Sequence, residues 1–429
     1  MSTARSVASA IRCAPLVVAL ALATASARAA EFEFGGQFRP ELADQQANLR
    51  GPVAQAARLD PGIVALPASG IALETELHAS GHGLTGIATL RQQRLEGGTL
   101  RSDAWVNELY ASGEAADWQF SAGKKIVGWD VGYGFRPNDF VQQEQRRTLL
   151  PTTPEGRPML MAEHFDASTA WSLVLVNPTQ PQWQRGADEP ALAMRAYQRD
   201  GAVDLFGFAR YGAHTGGSVG AASAWVATEA VELHASFRYL NEADSVAIDT
   251  AAIAGSPTGL VRTNPWVDAN VRHAVQALVG GTWTNAEQLS LLAEAWWDGT
   301  APSDAQWEAW DARNRQLVAL VGTTARAPIP ASAIAGNLAW QASAFGASAN
   351  LHRANLYTRL SWTHEKWQPA VDLLYTPADG GSIATASLGW QGDRVRVDGG
   401  LRVYGGPGSA VLAQLPTGRI AYVALTWAF

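Results

Sequence analysis

Along most of this 429-residue chain, large apolar side chains alternate with small or polar ones, residue by residue, in segments of nine to fourteen residues. No helix has that period, whereas a strand with one apolar and one polar face does. Such segments lie at 31–39, 71–80, 84–94, 100–111, 117–127, 158–166, 168–177, 190–199 and 202–212. They continue at 218–227, 230–241, 271–284, 287–298, 354–364, 366–376, 382–391, 393–404 and 418–429, about eighteen in all, an even number. The last, IAYVALTWAF, ends the chain on Phe429, with Ala421, Val423, Leu425, Trp427 and Phe429 on one face. A free apolar edge is a liability that soluble proteins blunt with charge or proline, and nothing blunts this one. A barrel has no free edge, so the pattern predicts an all-β fold: a transmembrane, antiparallel, up-and-down barrel of about eighteen strands. A soluble sandwich shares the alternation, but one this long would split into domains, and no linker is visible.

The first residues read as a cleaved secretory signal. Arg5 and Arg12 precede the apolar core APLVVALALATASA, and Ala27-Arg28-Ala29 has the small-x-small cleavage pattern, so 1–29 is expected to be removed. Residues 30–429 then form one barrel domain. Cys13, the single cysteine, lies before the apolar core, which argues against a lipid anchor and leaves no thiol for a disulfide or a thiolate metal site. No other apolar run reaches the roughly 18 residues of a spanning helix.

The connections alternate between tight and variable. Short ones are SGHG (80–83), SGEAAD (112–117) and DG (200–201), while the long ones, 40–70, 128–157, 242–270 and 299–353, all fall in the other class. Tight turns at one end and long loops at the other are the asymmetry of a bacterial outer-membrane barrel with both termini inside. In AVELHASFRYL, Val231, Leu233, Ala235, Phe237 and Tyr239 oppose Glu232, His234, Ser236 and Arg238. In RVRVDGGLRVY, Val395, Val397, Leu401 and Val403 oppose Arg394, Arg396, Asp398 and Arg402. These charged faces, with Glu74 and Glu76 of an early segment, are expected to line the lumen. Opposite charges there either satisfy one another across strands or set up a transverse field.

The loop 128–157 carries Trp129, Asp130, Tyr133, Arg136, Asp139, Phe140, Glu144, Arg146, Arg147 and Arg157. Loops this long are uncommon unless they have a function. Either it folds inward as a constriction, with Arg136, Arg146, Arg147, Arg157, Asp130, Asp139, Glu144 and Tyr133 selecting solutes by size and charge, or it caps the rim. In 299–353, Ser303 with Gln306 forms a capping-box pattern, followed by Trp307, Trp310, Leu317 and Val321 near helical spacing, an amphipathic segment for the rim or the mouth.

The glycine and basic pair of Gly123, Lys124 and Lys125, followed by IVGWDVGYGFRPND, resembles a motif of uncharacterised Gram-negative outer-membrane barrels, distantly similar to the alginate-export type of eighteen-stranded porin. That resemblance, carried by residues 119–160, implies a porin-like channel. An exporter of a polyanion would line its pore with Arg and Lys, whereas here acids share the expected lumen faces, which argues against polyuronate.

A serine nucleophile signature is missing, the eight histidines are scattered, and His78 and His82 flank a turn, so neither catalysis nor a metal or cofactor is expected. A net charge of −7 excludes nucleic acid as a partner. The expected partners are outer-membrane lipid, the barrel assembly machinery through the strand ending at Phe429, and small solutes, with homo-oligomerisation left open. The sequence thus points to passive passage of small polar or charged solutes or of an exported product. A plugged barrel, displaying its loops for surface recognition or serving an export machine, is the alternative.

Overall fold

The computed structural model describes residues 32–142, 149–150, 153–184, 186–249, 256–322, 329–346 and 348–429. Eighteen antiparallel strands form one sheet in chain order, and β1 (Glu33–Ala47) pairs with β18 (Thr417–Ala428), closing it into a barrel. Between them run β2 (Gly70–Gly81), β3 (Leu84–Leu95), β4 (Arg101–Ala115), β5 (Trp118–Lys125), β6 (Arg157–Phe165), β7 (Thr169–Val176), β8 (Ala191–Asp200) and β9 (Val203–Gly212). They are followed by β10 (Gly216–Thr228), β11 (Val231–Ile248), β12 (Trp266–Thr284), β13 (Leu289–Asp298), β14 (Ala354–Trp362), β15 (Trp367–Thr376), β16 (Gly381–Gln391) and β17 (Val395–Gly405). Closure is completed at the terminus, where Phe429 N donates to Gly36 O at 3.0 Å and Gly36 N donates to Phe429 O at 3.2 Å. The rings of Phe38, Trp427 and Phe429 stack across the seam.

Strand β15 shows how sequence sets facing. Trp367, Pro369, Val371, Leu373 and Tyr375 point outward, and Gln368, Ala370, Asp372, Leu374 and Thr376 inward. The outward set is apolar and aromatic at both ends. Around the barrel, exposed Trp118, Trp171, Trp283, Trp362 and Trp427 lie near the tight turns, and exposed Tyr211, Trp297 and Tyr375 near the long loops. Charged side chains pair within the lumen: Arg39 with Glu74, Arg91 with both Glu41 and Glu74.

The largest departures from the sequence expectation are strand extensions. β1 continues to Ala47 and β11 to Ile248, while β12 begins at Trp266, so the loops expected at 40–70 and 242–270 shrink to 48–69 and 249–265. β4 likewise continues to Ala115. These extensions rise past the apolar band, where neither face needs to be greasy and the alternation fades.

The loop end carries helices: α1 (Gly51–Leu59), α2 (Pro257–Arg262), α3 (Asp304–Ala319) and α4 (Ala331–Gln341). The expected capping box starts α3: Ser303 Oγ accepts from Gln306 N, and the Gln306 side chain accepts from Ser303 N at 2.8 Å. Trp307, Trp310 and Leu317 are buried as expected, but Val321 lies beyond the helix and is 40% exposed. Ala56, Leu260, Leu317, Ile334 and Leu338 meet in one cluster, so helices from the β1–β2, β11–β12 and β13–β14 loops pack together. The β1–β2 pair stands almost opposite β11–β12 around the sheet, with β13–β14 beside the latter. The helices therefore form a lid across part of the mouth, tied to the β17–β18 loop through Asn48, which donates to Ala413 O and Leu415 O.

Candidate functional site

The loop between β5 and β6, residues 126–156, turns into the bore. Val127, Trp129, Phe140 and Val141 pack on inward residues of the wall, Met159, Met161, Val174, Phe208 and Ala222. Beyond that apolar seat the loop is pinned by polar contacts. Asp130 accepts from Ser236 Oγ at 2.8 Å and Asn138 N at 2.6 Å, and Asn138 Nδ2 donates back to Ser236 Oγ at 2.9 Å. Arg238 donates to Pro137 O at 3.1 Å with its guanidinium 4.8 Å from the Phe140 ring centre. The Glu294 carboxylate accepts from Tyr133 N and Gly134 N, each at 2.6 Å.

Two glycines make this seat possible. A Cβ on Gly220 would overlap Asn138 Oδ1, and one on Gly134 would sit 3.0 Å from Glu294 Oε2 and 3.1 Å from Trp296. Close backbone approach is what a side-chain-free residue allows.

The loop then reaches the wall at two separated points. Its tip places Tyr133 against Tyr357 of β14, with ring centres 5.7 Å apart. Its returning limb places Leu149 and Leu150 against Tyr422 and Ala424 of β18. Between those contacts β15, β16 and β17 face a cavity of about 1120 Å³. Gln368 and Arg396 line it toward the turn end, and Asn177, Gln180 and Asp188 toward the loop end. A second cavity of about 700 Å³ lies on the other side of the loop tip, under residues 345–350.

The residues expected at a constriction are distributed as follows. Tyr133 borders the larger cavity. Asp130 and Asp139 are 9% and 8% exposed and serve the loop's own fold, Asp139 accepting from Trp129 N and Asp130 N at 2.6 and 3.0 Å. Arg136 donates to Gly132 O and pairs with Asp139 at 3.4 Å, facing the smaller cavity. Arg157 is the first residue of β6, not a loop residue, and is paired with Asp188 at the rim. Glu144, Arg146 and Arg147 lie outside the described residues. On the wall, Glu74 and Glu76 are buried against Arg39 and Gln37, and Arg396 grips Asp398 with both branches, at 2.7 and 2.9 Å. Arg402 donates to Thr385 Oγ1 at 3.0 Å. Arg394 stands in the exposed turn before β17 and is not part of the wall. Sequence reasoning missed Glu294, Asn138, Gly220 and the Arg359–Asp372 pair as parts of one site, because their partners are between 13 and 161 residues away.

His78 Nε2 bonds Glu76 Oε1 at 2.7 Å, and no cluster of three or more metal-ligating side chains occurs among the described residues.

The class defined by this geometry is a closed, eighteen-stranded antiparallel barrel with one loop folded into its lumen. No protein-family model matches the chain, and no curated protein matches it in sequence. Solved structures with a similar trace include a mutant porin of Rh. blastica, 11% identical, with 93% of this chain and 100% of that one covered and a TM-score of 0.42. Another is a loop-deletion mutant of OmpT, an outer membrane protein of Vibrio cholerae, 10% identical over 93% and 99% of the two chains, with a TM-score of 0.36.

Proposed function

We propose that this protein is an outer-membrane channel for passive passage of small polar or charged solutes, with the loop 126–156 narrowing its bore. The observation that carries the reading is the larger cavity, whose lining runs from Gln368 and Arg396 at the turn end past the docked loop to Asn177 and Asp188 at the loop end. Those upper residues belong to the β7–β8 connection, away from the strands that carry the lid. The path thus leaves the mouth on its uncovered side.

The outer surface supports the membrane part of the reading. Trp367 and Tyr375 on β15 are eight residues apart with only apolar outward side chains between them. Eight residues of strand span roughly 26 Å, or about 20 Å after a tilt of about 40°, close to the apolar band of such barrels. Closure leaves the sheet no free edge, as a bilayer demands.

The test is single-channel current through the folded protein in a planar bilayer, with the reversal potential read in a salt gradient. Steady conductance steps are expected. Protein that migrates as a folded, heat-modifiable barrel and yet leaves the bilayer silent would refute the channel and favour the plugged alternative.

A further inference from the structure

We propose that His234 of β11 is a positioning residue for the inner loop: its proton holds the loop tip against the wall through Glu294, and the bore widens when that proton is lost. This rests on the channel reading and adds to it the control of its constriction. His234 Nε2 lies 2.9 Å from Glu294 Oε1, and Nδ1 lies 3.0 and 3.2 Å from the two oxygens of Glu232. Each ring nitrogen thus meets a carboxylate, and both nitrogens donate only in the imidazolium. The same Glu294 carboxylate accepts from Tyr133 N and Gly134 N of the loop tip.

The clasp reaches over an intervening strand. His234, Gly280 and Glu294 stand in register on β11, β12 and β13, and a Cβ on Gly280 would come within 2.6 Å of both His234 Nε2 and Glu294 Cγ. The absent side chain is what lets the imidazole cross β12. Glu232 on its own strand and Glu294 on β13 are the charged groups that bond the ring. Its other neighbours in register, Gly280 on β12 and Ala224 on β10, carry no charge. The loop presents backbone amides there, with the Tyr133 ring stacked on Tyr357 of β14, and Asp130 bonds the next inward residue of β11, Ser236.

The two carboxylates respond differently to loss of the proton. The Glu232 side chain is 33% exposed and can turn to water, whereas that of Glu294 is 0% exposed. A neutral imidazole keeps its N–H for Glu294 and turns a lone pair to Glu232, but the positive charge between them is gone. A buried carboxylate without a countercharge is unfavourable. The loop tip covers both of its oxygens, so water reaches Glu294 when the tip lifts. The protonated form therefore holds the constriction, and the neutral form loosens it.

Hydrogen exchange of the folded full-length chain in detergent reads the loop without requiring conduction. The protection factor of amides in 130–139, the intrinsic rate divided by the observed one, should fall about tenfold or more between about pH 5 and about pH 9, as loss of a charge-assisted bond implies. In a planar bilayer the conductance steps should grow or become noisier over the same range. His234→Gln, which has no titrating proton, should show neither change, and His352→Gln, on the lid, should show both. Glu232→Gln, at a partly exposed position, removes one of the two carboxylates that favour the proton and should move the fall toward acid. The clasp is overturned if the wild-type protection factor stays constant, if folded His234→Gln keeps the fall, or if the fall in Glu232→Gln stays where the wild type has it. A loop that loosens as expected in a barrel that never conducts would uphold the clasp and refute the channel. Steady conduction with constant protection would do the reverse.

Discussion

Single atoms decide where the inner loop rests. Gly220 faces inward on β10, and a methyl group there would collide with Asn138 Oδ1, the residue that clasps Ser236. Gly220→Ala is therefore expected to lift the loop tip, with a small local shift of β11, because the added methyl would also come within 2.7 Å of Phe237 O. In a planar bilayer the variant should show larger or noisier conductance steps, and unchanged steps would mean that the loop does not limit current. Glu294 acts from β13, three strands further round the wall, where one carboxylate holds two adjacent backbone amides. Glu294→Gln keeps its shape but offers one acceptor oxygen in place of two, leaving an amide orphaned at about 1–3 kcal/mol. The same conductance readout should report it. Neither residue could be singled out from sequence: Glu294 reads as one more polar position on an alternating strand, and Gly220 as one more small one.

At the scale of the element, the lid is an assembly of loops held by buried polar links. Arg313 of α3 donates to Leu260 O and Thr263 O, at 2.5 and 2.6 Å, and to Asn337 Oδ1 at 3.0 Å, joining the ends of three helical pieces. Burial pulls its guanidinium down to about 10, still charged at neutral pH. His352, 1% exposed, bonds Asp379 at 2.8 Å and Asp304 at 3.1 Å, which fastens the start of α3 to the β15–β16 turn. Both ring nitrogens can donate only in the protonated form. Burial lowers the imidazole's affinity for its proton, but the two aspartates outweigh it, so its pKa is raised above 6.5. Asp379 is held well below the usual carboxylate range: burial pushes it up, and bonds from His352, Thr376 and two backbone amides overcome that. The contribution of His352 is then complete below pH 6.5 and is lost as pH rises through its elevated value. The hydrogen-exchange protection factor across residues 303–322, the intrinsic base-catalysed rate divided by the observed one, should fall as pH rises through that window, and His352→Gln should remove the fall. A wild type whose protection factor stays constant would show that the clasp does not hold the lid. The capping box made α3 legible in advance, because Ser303 and Gln306 are three residues apart. The lid was not, since α1, α2 and α4 meet α3 through contacts spanning much of the chain.

For the whole molecule, the alternation that revealed the strands is also the claim about its solvent. Val371 is 56% exposed at the centre of β15, between Trp367 and Tyr375. In water such a position tolerates charge within about 0.5 kcal/mol; at the midplane of a bilayer an arginine there costs roughly 2–4 kcal/mol. Leu49, 83% exposed above β1, is the control. Refolding equilibria in lipid vesicles should find Val371→Arg destabilised by that amount and Leu49→Arg near neutral. Equal, small effects at both sites would place the outer wall in water and undo the membrane reading, although the barrel itself would remain. Facing was legible because lipid and lumen impose opposite chemistry on neighbouring residues, and register followed from tight turns. The path through the bore was not, because it depends on where along the wall a single loop grips, and that choice rests on Gly220 of β10, Asn138 of the loop and Glu294 of β13, contacts between residues distant in sequence.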